Sequence, residues 1–459
     1  MDRIPLRAVY AGVLRGPGRL VRYVSRLNGS QKEVHFMRRY YFITPVLIFI
    51  APVLILALLC TFAACTARLE GGLPESGNTG AADSAPAAAA GALRLCDTQA
   101  DGGYYLTEDR GAYGNLTYID CESRRQAYLC ARPECAHDSA ACTSVITGNV
   151  LLFAANGQLY LIRVRTDEYG PPELISMAPD GSNRRKLAQF PVNYELDLRF
   201  YTDDAFLYLL ADAVDGQTAV AQRLLLRVDL ADGAWEEAYA FPPEFGMSFV
   251  AGTLGRRLIF ALLESDAAGG GWTTAYRFLD VDAMAFDGNE YRIDSAHGSA
   301  WYGGRLYEVL YESDAVRVTD PATGETSEVS YAPLFTMPGC PAFRHDFVGV
   351  EEAADGILRL EARAEDAADE KSYVFLLDPD SGAIVPFTLF KTFKPEPVTV
   401  LAQWDDLLLV LADWKESPGS DAQIHNYIPQ RALIQTSDYL ASVPAYLPIL
   451  SDVYPDAWA

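Results

Sequence analysis

The sequence predicts an all-β fold, a β-propeller of about seven four-stranded blades, preceded by an N-terminal hydrophobic helix and a flexible tether. Three observations predict it. A short apolar strand motif recurs every 48–55 residues, turns containing Asp or Gly separate the strands, and no long stretch beyond residue 93 shows helical periodicity. About fifty residues per four-stranded unit, repeated about seven times, is typical of a propeller.

Composition restricts the class of protein and the class of partner. Half of the 459 residues are hydrophobic and 21% are charged, which is enough apolar content for a large folded core. The formal net charge is −24. Because phosphate binding requires clustered Lys and Arg, this acidic balance argues against a nucleic-acid partner.

Residues 1–40 form a basic N-terminal arm, with nine Lys or Arg and two Asp or Glu. Export signals normally have short charged starts, and the segment beginning at Met37 has that compact form. We therefore expect that translation starts at Met37. The rival interpretation is a basic arm that stays in the cytoplasm.

Residues 41–64 form a signal or transmembrane segment of 24 residues without a charge, long enough to cross a bilayer as a helix. The segment ends in two small residues, Ala63 and Ala64, and Cys65 follows, in the order of a bacterial lipoprotein signal, so Cys65 is the predicted lipidation site. An uncleaved membrane anchor is the alternative. Both predict a protein anchored to the cell membrane with its body on the extracytoplasmic side.

Residues 65–92 combine Cys65 with a stretch rich in Gly, Ala, Ser and Pro and without aromatic residues, which predicts a flexible linker. The propeller domain follows as residues 93–459. Its repeated motif is apolar and is mostly introduced by Gly or Asp; its seven copies lie near Tyr104, Leu159, Leu207, Leu258, Leu306, Ile357 and Leu407.

A later strand of most repeats ends in an Asp turn, as at Asp120, at Asp180-Gly181 and at Asp232-Gly233. Strands of four to seven residues joined by such turns predict antiparallel hairpins. The segment ALIQTSDYL at 432–440 is predicted to supply the strand that closes the ring against the first blade.

One cluster of metal-ligand residue types stands in the first repeat: Cys130, Cys135, His137 and Cys142, spaced C-x4-C-x-H-x4-C. Three thiols and one imidazole make a complete tetrahedral set for a structural zinc, with no position left for catalysis. The alternative is disulfides, because an exported body would carry six cysteines, which pair in fifteen ways. Reduced thiols are a third possibility. In each case the cluster is expected to hold a loop onto the first blade.

Three segments carry a resemblance to a known family: YLCARPECAHDSAACTS at 128–144, ISMAPDGSN at 175–183 and ALIQTSDYLASVPAY at 432–446. With the lipoprotein-like start, they resemble uncharacterised exported lipoproteins of clostridial-type bacteria, which carry a Cys/His cluster and a propeller-like repeat. The resemblance implies fold and location but no activity or substrate. It also implies an anaerobic host, which weakens the disulfide alternative.

Three classes of function are consistent with the sequence. The first is a non-catalytic binding module for a protein, a peptide or a glycan, tethered to the membrane. The alternatives are a glycan-active hydrolase or lyase, and a structural component of an envelope complex. The sequence contains no H-E-x-x-H pair, nucleophile elbow or P-loop. Adjacent acids such as Asp203-Asp204 are interpreted as solvated turns, and Trp272 as a surface ring on a Gly-rich loop.

Overall fold

The computed structural model describes residues 91–458 apart from 101, 110–112, 165–169, 215–220, 244, 246–247, 266–271, 295–297, 367–370, 394 and 418–425. The predictions for the basic arm, the hydrophobic segment, Cys65 and the linker up to residue 90 fall outside the described residues. In the part of the chain that is described, no helix combines the length and hydrophobicity needed to cross a bilayer.

The described residues form seven antiparallel sheets, each built from four strands taken in chain order, which confirms the propeller prediction. The strands of blades 1 to 4 are Gln99–Ala100, Gly103–Asp109, Gly114–Asp120 and Arg125–Tyr128; Val150–Ala155, Gln158–Arg163, Glu173–Met177 and Arg185–Gln189; Tyr194–Thr202, Phe206–Val214, Ala221–Asp229 and Trp235–Ala240; and Ser248–Leu254, Arg257–Ser265, Trp272–Asp280 and Ala285–Asp294. Those of blades 5 to 7 are Ser299–Tyr302, Arg305–Leu310, Ala315–Thr319 and Thr326–Ser330; Phe343–Ala354, Ile357–Ala364, Ser372–Leu377 and Ile384–Phe387; and Thr399–Trp404, Leu407–Ser417, Asn426–Gln435 and Leu447–Pro448.

Five short elements complete the described chain. Arg94–Leu95 adds to the first strand of blade 3, Val145–Ile146 to the third strand of blade 1, and Leu450–Ser451 to the fourth strand of blade 1. A 3-10 helix, Ala332–Thr336, connects blades 5 and 6, and an α-helix, Thr436–Leu440, lies between the third and fourth strands of blade 7.

Both faces of a blade are buried, which explains why its inner strands are continuously apolar. In the second strand of blade 3, residues 207–211 are all buried. Leu207 and Leu209 belong to a core cluster shared with blade 2, whereas Tyr208 and Leu210 belong to one shared with blade 4. Alternate side chains of a strand point to opposite faces, so a strand between two neighbouring blades must be apolar at every position.

The predicted Asp turns recur between the third and fourth strands. Asp229, Asp320 and Asp378 each accept a backbone hydrogen bond, at 2.8 or 2.9 Å, from the residue two positions later. The glycine four positions after each Asp has a positive φ. In blade 3 this is Gly233, where a Cβ would lie 2.0 Å from the Leu187 carbonyl oxygen of blade 2. This turn therefore also sets how closely blades 2 and 3 approach.

The segment 93–99, called the axial segment below, runs past the ends of the first strands of blades 4, 3 and 2 before it enters blade 1. First strands contact each other between blades 1 and 2, 4 and 5, and 5 and 6, which places them on the inner side of the ring. Arg94–Leu95 pairs with the inner edge of blade 3, the Leu93 amide donates to the Gly255 carbonyl of blade 4 (2.8 Å), and Asp97 accepts from the Ala154 amide of blade 2 (2.8 Å). The Gln99 side chain then reaches the Gln403 carbonyl of blade 7 (2.7 Å). The segment therefore joins four blades at the end of the ring where their first strands terminate.

The prediction that residues 432–440 supply the closing strand is wrong. Residues 432–435 belong to the third strand of blade 7, and the chain then turns into the helix Thr436–Leu440. Tyr439 fixes this helix, because its ring is fully buried in the core cluster between blades 6 and 7. Blade 7 takes its fourth strand from Leu447–Pro448, and closure falls to Leu450–Ser451, which pairs in parallel with Arg125 and Gln126.

A buried ion pair lies at this closure. Arg431 of blade 7 approaches Glu108 of blade 1 at 3.7 Å, and the two side chains are 6% and 0% exposed. Gln126 donates to Glu108 at 3.3 Å, and the Tyr454 hydroxyl of the C-terminal segment also donates to Glu108. Removing one partner of such a pair leaves an uncompensated charge in the interior, which is far more costly than the net gain from the pair.

We expect the substitution Arg431→Met to lower the free energy of unfolding by about 3–5 kcal/mol, because Glu108 would keep its buried charge without its cation. The matched control is Arg344→Met, which removes an Arg whose partner Asp346 is exposed, and which should cost less than about 1 kcal/mol. Urea unfolding followed by tryptophan fluorescence measures both. Equal losses in the two variants would contradict a special role for the buried pair.

Candidate metal centre

The Cys/His cluster lies in a loop, residues 129–144, that interrupts the outer strand of blade 1. Arg125–Tyr128 pairs with the later half of the third strand, and Val145–Ile146 resumes the pairing with Gly114 and Asn115. Leu116 holds both ends of the loop, accepting from the Leu129 amide at 3.1 Å and donating to the Ser144 carbonyl at 2.6 Å. The loop therefore projects from a strand edge whose two halves are fixed.

The structure brings all four predicted ligands together. The sulfur atoms of Cys130, Cys135 and Cys142 and an imidazole nitrogen of His137 lie within 4.8 Å of one another. His137 Nδ1 lies 3.4 Å from Cys142 Sγ. Cys130 and Cys142 are buried, whereas Cys135 and His137 are half-buried.

Short turns in the loop produce this convergence. The Cys135 amide donates to the Arg132 carbonyl at 3.2 Å, and the Cys142 amide donates to the Ser139 carbonyl at 2.9 Å. Between these turns His137 has a φ of 55°, a left-handed conformation that reverses the chain at the imidazole. Each potential ligand therefore sits at or next to a point where the backbone changes direction.

Residues outside the motif hold the ligands in place. The amide of Asn115, which is 1% exposed, donates to the His137 carbonyl (3.0 Å) and to Ser144 Oγ (3.2 Å). Ser144 in turn contacts Cys142 Sγ through its hydroxyl at 3.0 Å and through its amide at 3.4 Å. The Tyr128 ring stacks on the His137 imidazole with a centroid separation of 3.5 Å. Such surrounding contacts orient ligands and tune the affinity of metal sites.

Residues of blade 2 contact both ends of the loop. The guanidinium of Arg184 donates to the Val145 carbonyl at 2.7 Å and also to the Thr143 carbonyl. Gly181, in the DGSN turn, has a φ of 77°, and a Cβ at this position would lie 3.2 Å from the Leu129 Cβ. Two of the three segments that carry the family resemblance therefore touch each other, and the loop joins blade 1 to blade 2.

Local electrostatics favour ligand protonation states at two of the four groups. Burial raises the pKa of Cys130, but hydrogen bonds from the Arg132 backbone and from the Cys142, Cys135 and Arg132 side chains outweigh it and bring the pKa to about 7. Burial, with the Arg132 charge, lowers the pKa of His137 and so favours the neutral imidazole. Burial raises the pKa of Cys142, partly offset by Ser144. Metals bind thiolates and neutral imidazoles.

The donor set fits a structural zinc ion. Zinc bonds of about 2.3 Å to sulfur and about 2.0 Å to nitrogen imply tetrahedral separations of about 3.5 Å between nitrogen and sulfur and about 3.8 Å between two sulfurs. The 3.4 Å between His137 Nδ1 and Cys142 Sγ is close to the nitrogen-to-sulfur value. The other potential ligand atoms lie within 4.8 Å of one another, so only a small contraction of the cluster is required. Four protein ligands complete the tetrahedron, so the set is of the closed, structural kind.

The remaining described cysteines are distributed around the ring. All six described cysteines are free thiols. Cys96 packs against the core between blades 2 and 3, Cys121 against the core between blades 7 and 1, and Cys340 against the core between blades 5 and 6. The cluster therefore holds an odd number of thiols, of which one disulfide could use two.

The adjacent acids Asp203 and Asp204, which the sequence analysis interprets as a solvated turn, have separate structural partners. Asp203 accepts from the Phe206 amide at 2.7 Å and pairs with Arg256 at 2.7 Å. Asp204 pairs instead with Arg94 of the axial segment, also at 2.7 Å. Asp203 thus stabilises the turn before Phe206, and Asp204 holds the axial segment through Arg94. The ring of Trp272 is half-buried at the start of its strand.

The sequence pattern predicts the four potential ligands but gives no indication of Asn115, Ser144 and Arg184. Asn115 and Arg184 stand 15 residues before the first ligand and 42 residues after the last, and their residue types carry no spacing signal. The DGSN turn at 180–183 carries part of the family resemblance, and its role at this site is the close approach of Gly181 to Leu129.

No protein-family model matches the chain, and no curated protein matches it. Solved structures similar to it include a puromycin-hydrolyzing peptidase of Mycobacterium tuberculosis (12% identity, TM-score 0.45, 79% of this chain and 54% of that chain). Others are the β-propeller domain of the Trilobed protease from Pyrococcus furiosus (12%, 0.40, 76% and 99%) and an oligogalacturonate lyase in complex with manganese (12%, 0.41, 72% and 92%). The chain thus spans about half the length of the peptidase. Similarities at this level concern the fold and not the activity.

We expect Arg184→Lys to speed amide hydrogen exchange in residues 143–145 by about tenfold, because a lysine replaces one of the two carbonyl contacts at most, and a charged hydrogen bond contributes about 1.5 kcal/mol. The control is Arg185→Lys, since Arg185 instead contacts the Ala231 carbonyl of blade 3 at 3.1 Å. Exchange at 143–145 should be unchanged in the control. Equal acceleration in both variants would show that Arg184 does not hold the loop.

Proposed function

We propose that the chain is a membrane-anchored extracytoplasmic β-propeller that acts as a non-catalytic binding module, with a structural zinc ion at Cys130, Cys135, His137 and Cys142. Anchoring would come from residues 41–64 or from a lipid on Cys65. The partner would be an extracellular protein, peptide or glycan. The net charge of −24 supports a partner other than nucleic acid.

The observation that carries this proposal is the closed donor set of the Cys/His cluster. Within the described ranges it is the one group of three or more His, Cys, Asp or Glu side chains close enough to share a metal ion. Because four protein ligands fill a tetrahedron, a zinc ion here would have no position for water or substrate. Its effect would be to hold a surface loop, which suits a scaffold rather than an active centre.

The axial segment supports the same function. It runs past the ends of the first strands, where it contacts blades 2, 3 and 4. A flexible linker joined to the ring at this end would leave the loops of the opposite end away from the attachment point. Loops at that end would then be accessible to an external partner.

We expect the full chain, purified in detergent without chelators, to contain one zinc ion per molecule by elemental analysis. Cys142→Ser should lower the zinc content at least about tenfold because it removes a ligand. Cys340→Ser is the matched control, since Cys340 lies outside the cluster. A chain that stays metal-free after reduction with dithiothreitol and addition of zinc would refute the zinc, and a disulfide between two of the cluster cysteines in the chain as purified would then support the covalent alternative.

Binding and turnover are separated by one further experiment. We expect the detergent-purified chain to cosediment saturably with bacterial sacculi, or to crosslink to an extracellular protein on intact cells, without altering either target. Mass spectrometry of the supernatant measures released fragments. Soluble fragments that accumulate in proportion to the chain concentration would contradict a binding module and favour the glycan-active alternative.

A further inference from the structure

We infer that the Cys/His cluster is a redox switch, in which a disulfide oxidant converts Cys130 and Cys135 into a disulfide and expels the metal. The inference rests on the proposed zinc site and adds a regulation to it. The zinc-bound and disulfide-bonded forms, which the sequence presents as alternatives, become two oxidation states of one site.

The first support is the number and spacing of the thiols. Three sulfur atoms lie within 4.8 Å of one another, so any two can reach the bonding distance of about 2.05 Å by a local shift of the loop. A site with three thiols has one left over when two are joined. Only Cys142 and His137 would then remain as ligands, too few for a stable tetrahedral zinc site.

The second support is the difference in access among the thiols. Cys142 is 3% exposed and is held by Ser144 next to the outer strand of blade 1. Cys135 is half-buried, and the residues between it and Cys130, namely 131–134, are all exposed. A small disulfide therefore reaches Cys135 first, and the exposed stretch leaves Cys135 free to move toward Cys130 while Cys142 stays in place.

The chemistry balances with a low-molecular-weight disulfide, RSSR, as the oxidant. The Cys135 thiolate attacks one sulfur of RSSR, forming a mixed disulfide and releasing the first RS⁻. The Cys130 thiolate then attacks the Cys135 sulfur, which forms the Cys130–Cys135 disulfide and releases the second RS⁻. The two cysteines lose two electrons and RSSR gains them. Zinc leaves as Zn²⁺, the Cys142 thiolate takes up a proton, and two thiols RSH reverse the sequence.

The switch acts on the part of the loop that the fold leaves free. Residues 142–146 stay attached through Ser144, through Arg184 and through the pairing of Val145–Ile146 with the third strand. The segment 131–141 loses the metal, and two side-chain contacts with the blade remain at His137: the Asn115 amide on its carbonyl and the Tyr128 ring on its imidazole. Oxidation therefore reshapes the surface at the edge of blade 1 without opening the ring.

The test uses the zinc-loaded full chain in detergent, titrated with oxidised glutathione. We expect one zinc ion to be released per chain, as reported by a chromophoric indicator, together with a mass decrease of about 2 Da from one disulfide. Peptide mapping should find Cys130 linked to Cys135 and Cys142 open to alkylation. Dithiothreitol with added zinc should restore the starting state.

Two variants keep the outcome interpretable. Cys142→Ser retains both switch cysteines and should still form the Cys130–Cys135 disulfide, whereas Cys340→Ser should behave as the unaltered chain. Zinc that is bound but stays in place, or that leaves without a disulfide, would overturn the switch and leave the zinc site standing. A chain that never binds zinc would instead overturn the proposed zinc site itself.

Discussion

The structure depends on one constraint: a ring of sheets has to close. Each of the seven described blades takes its four strands from one continuous stretch of the chain, so no blade closes the ring by combining strands from both ends. Blade 7 completes itself with Leu447–Pro448, so the junction with blade 1 relies on side chains and a two-residue parallel pairing. The buried pair of Glu108 and Arg431 lies at this junction, together with Gln126 and Tyr454. A polar network of this kind is specific because each member is satisfied in one arrangement only.

Closure also explains where the Cys/His loop can be accommodated. The inner strands of each blade are covered on both faces by neighbouring blades, so an insertion there would break two cores at once. The fourth strand of blade 1 is an outer strand, and the chain leaves it at residue 129 and returns at residue 144 without disturbing Leu116 behind it. A sixteen-residue loop buries little apolar surface, and metal ligation is a common substitute for a core in such small elements.

The sequence was sufficient to predict the repeat, but it was insufficient to predict which distant segments pair with one another. The recurring strands and Asp turns follow from local chemistry, because a strand between two blades must be apolar throughout and a tight turn requires a cap and a glycine. The end of the chain is different: the pattern of 432–440 does not reveal that Tyr439 would be drawn into the core as part of a helix. Likewise, the spacing of the four potential ligands is visible in the sequence, whereas Asn115 and Arg184 are distant in sequence and are brought to the site by the folding of blades 1 and 2.

The axial segment has a mechanical consequence. A pull on the chain at residue 91 would act first on blades 4 and 3, which this segment contacts before it reaches blade 2. The tension would be shared in shear by the Leu93–Gly255 and Cys96–Phe200 backbone hydrogen bonds and by the ion pair of Arg94 with Asp204. The load would therefore be spread over two neighbouring blades, 3 and 4, before it reached the strands of blade 1.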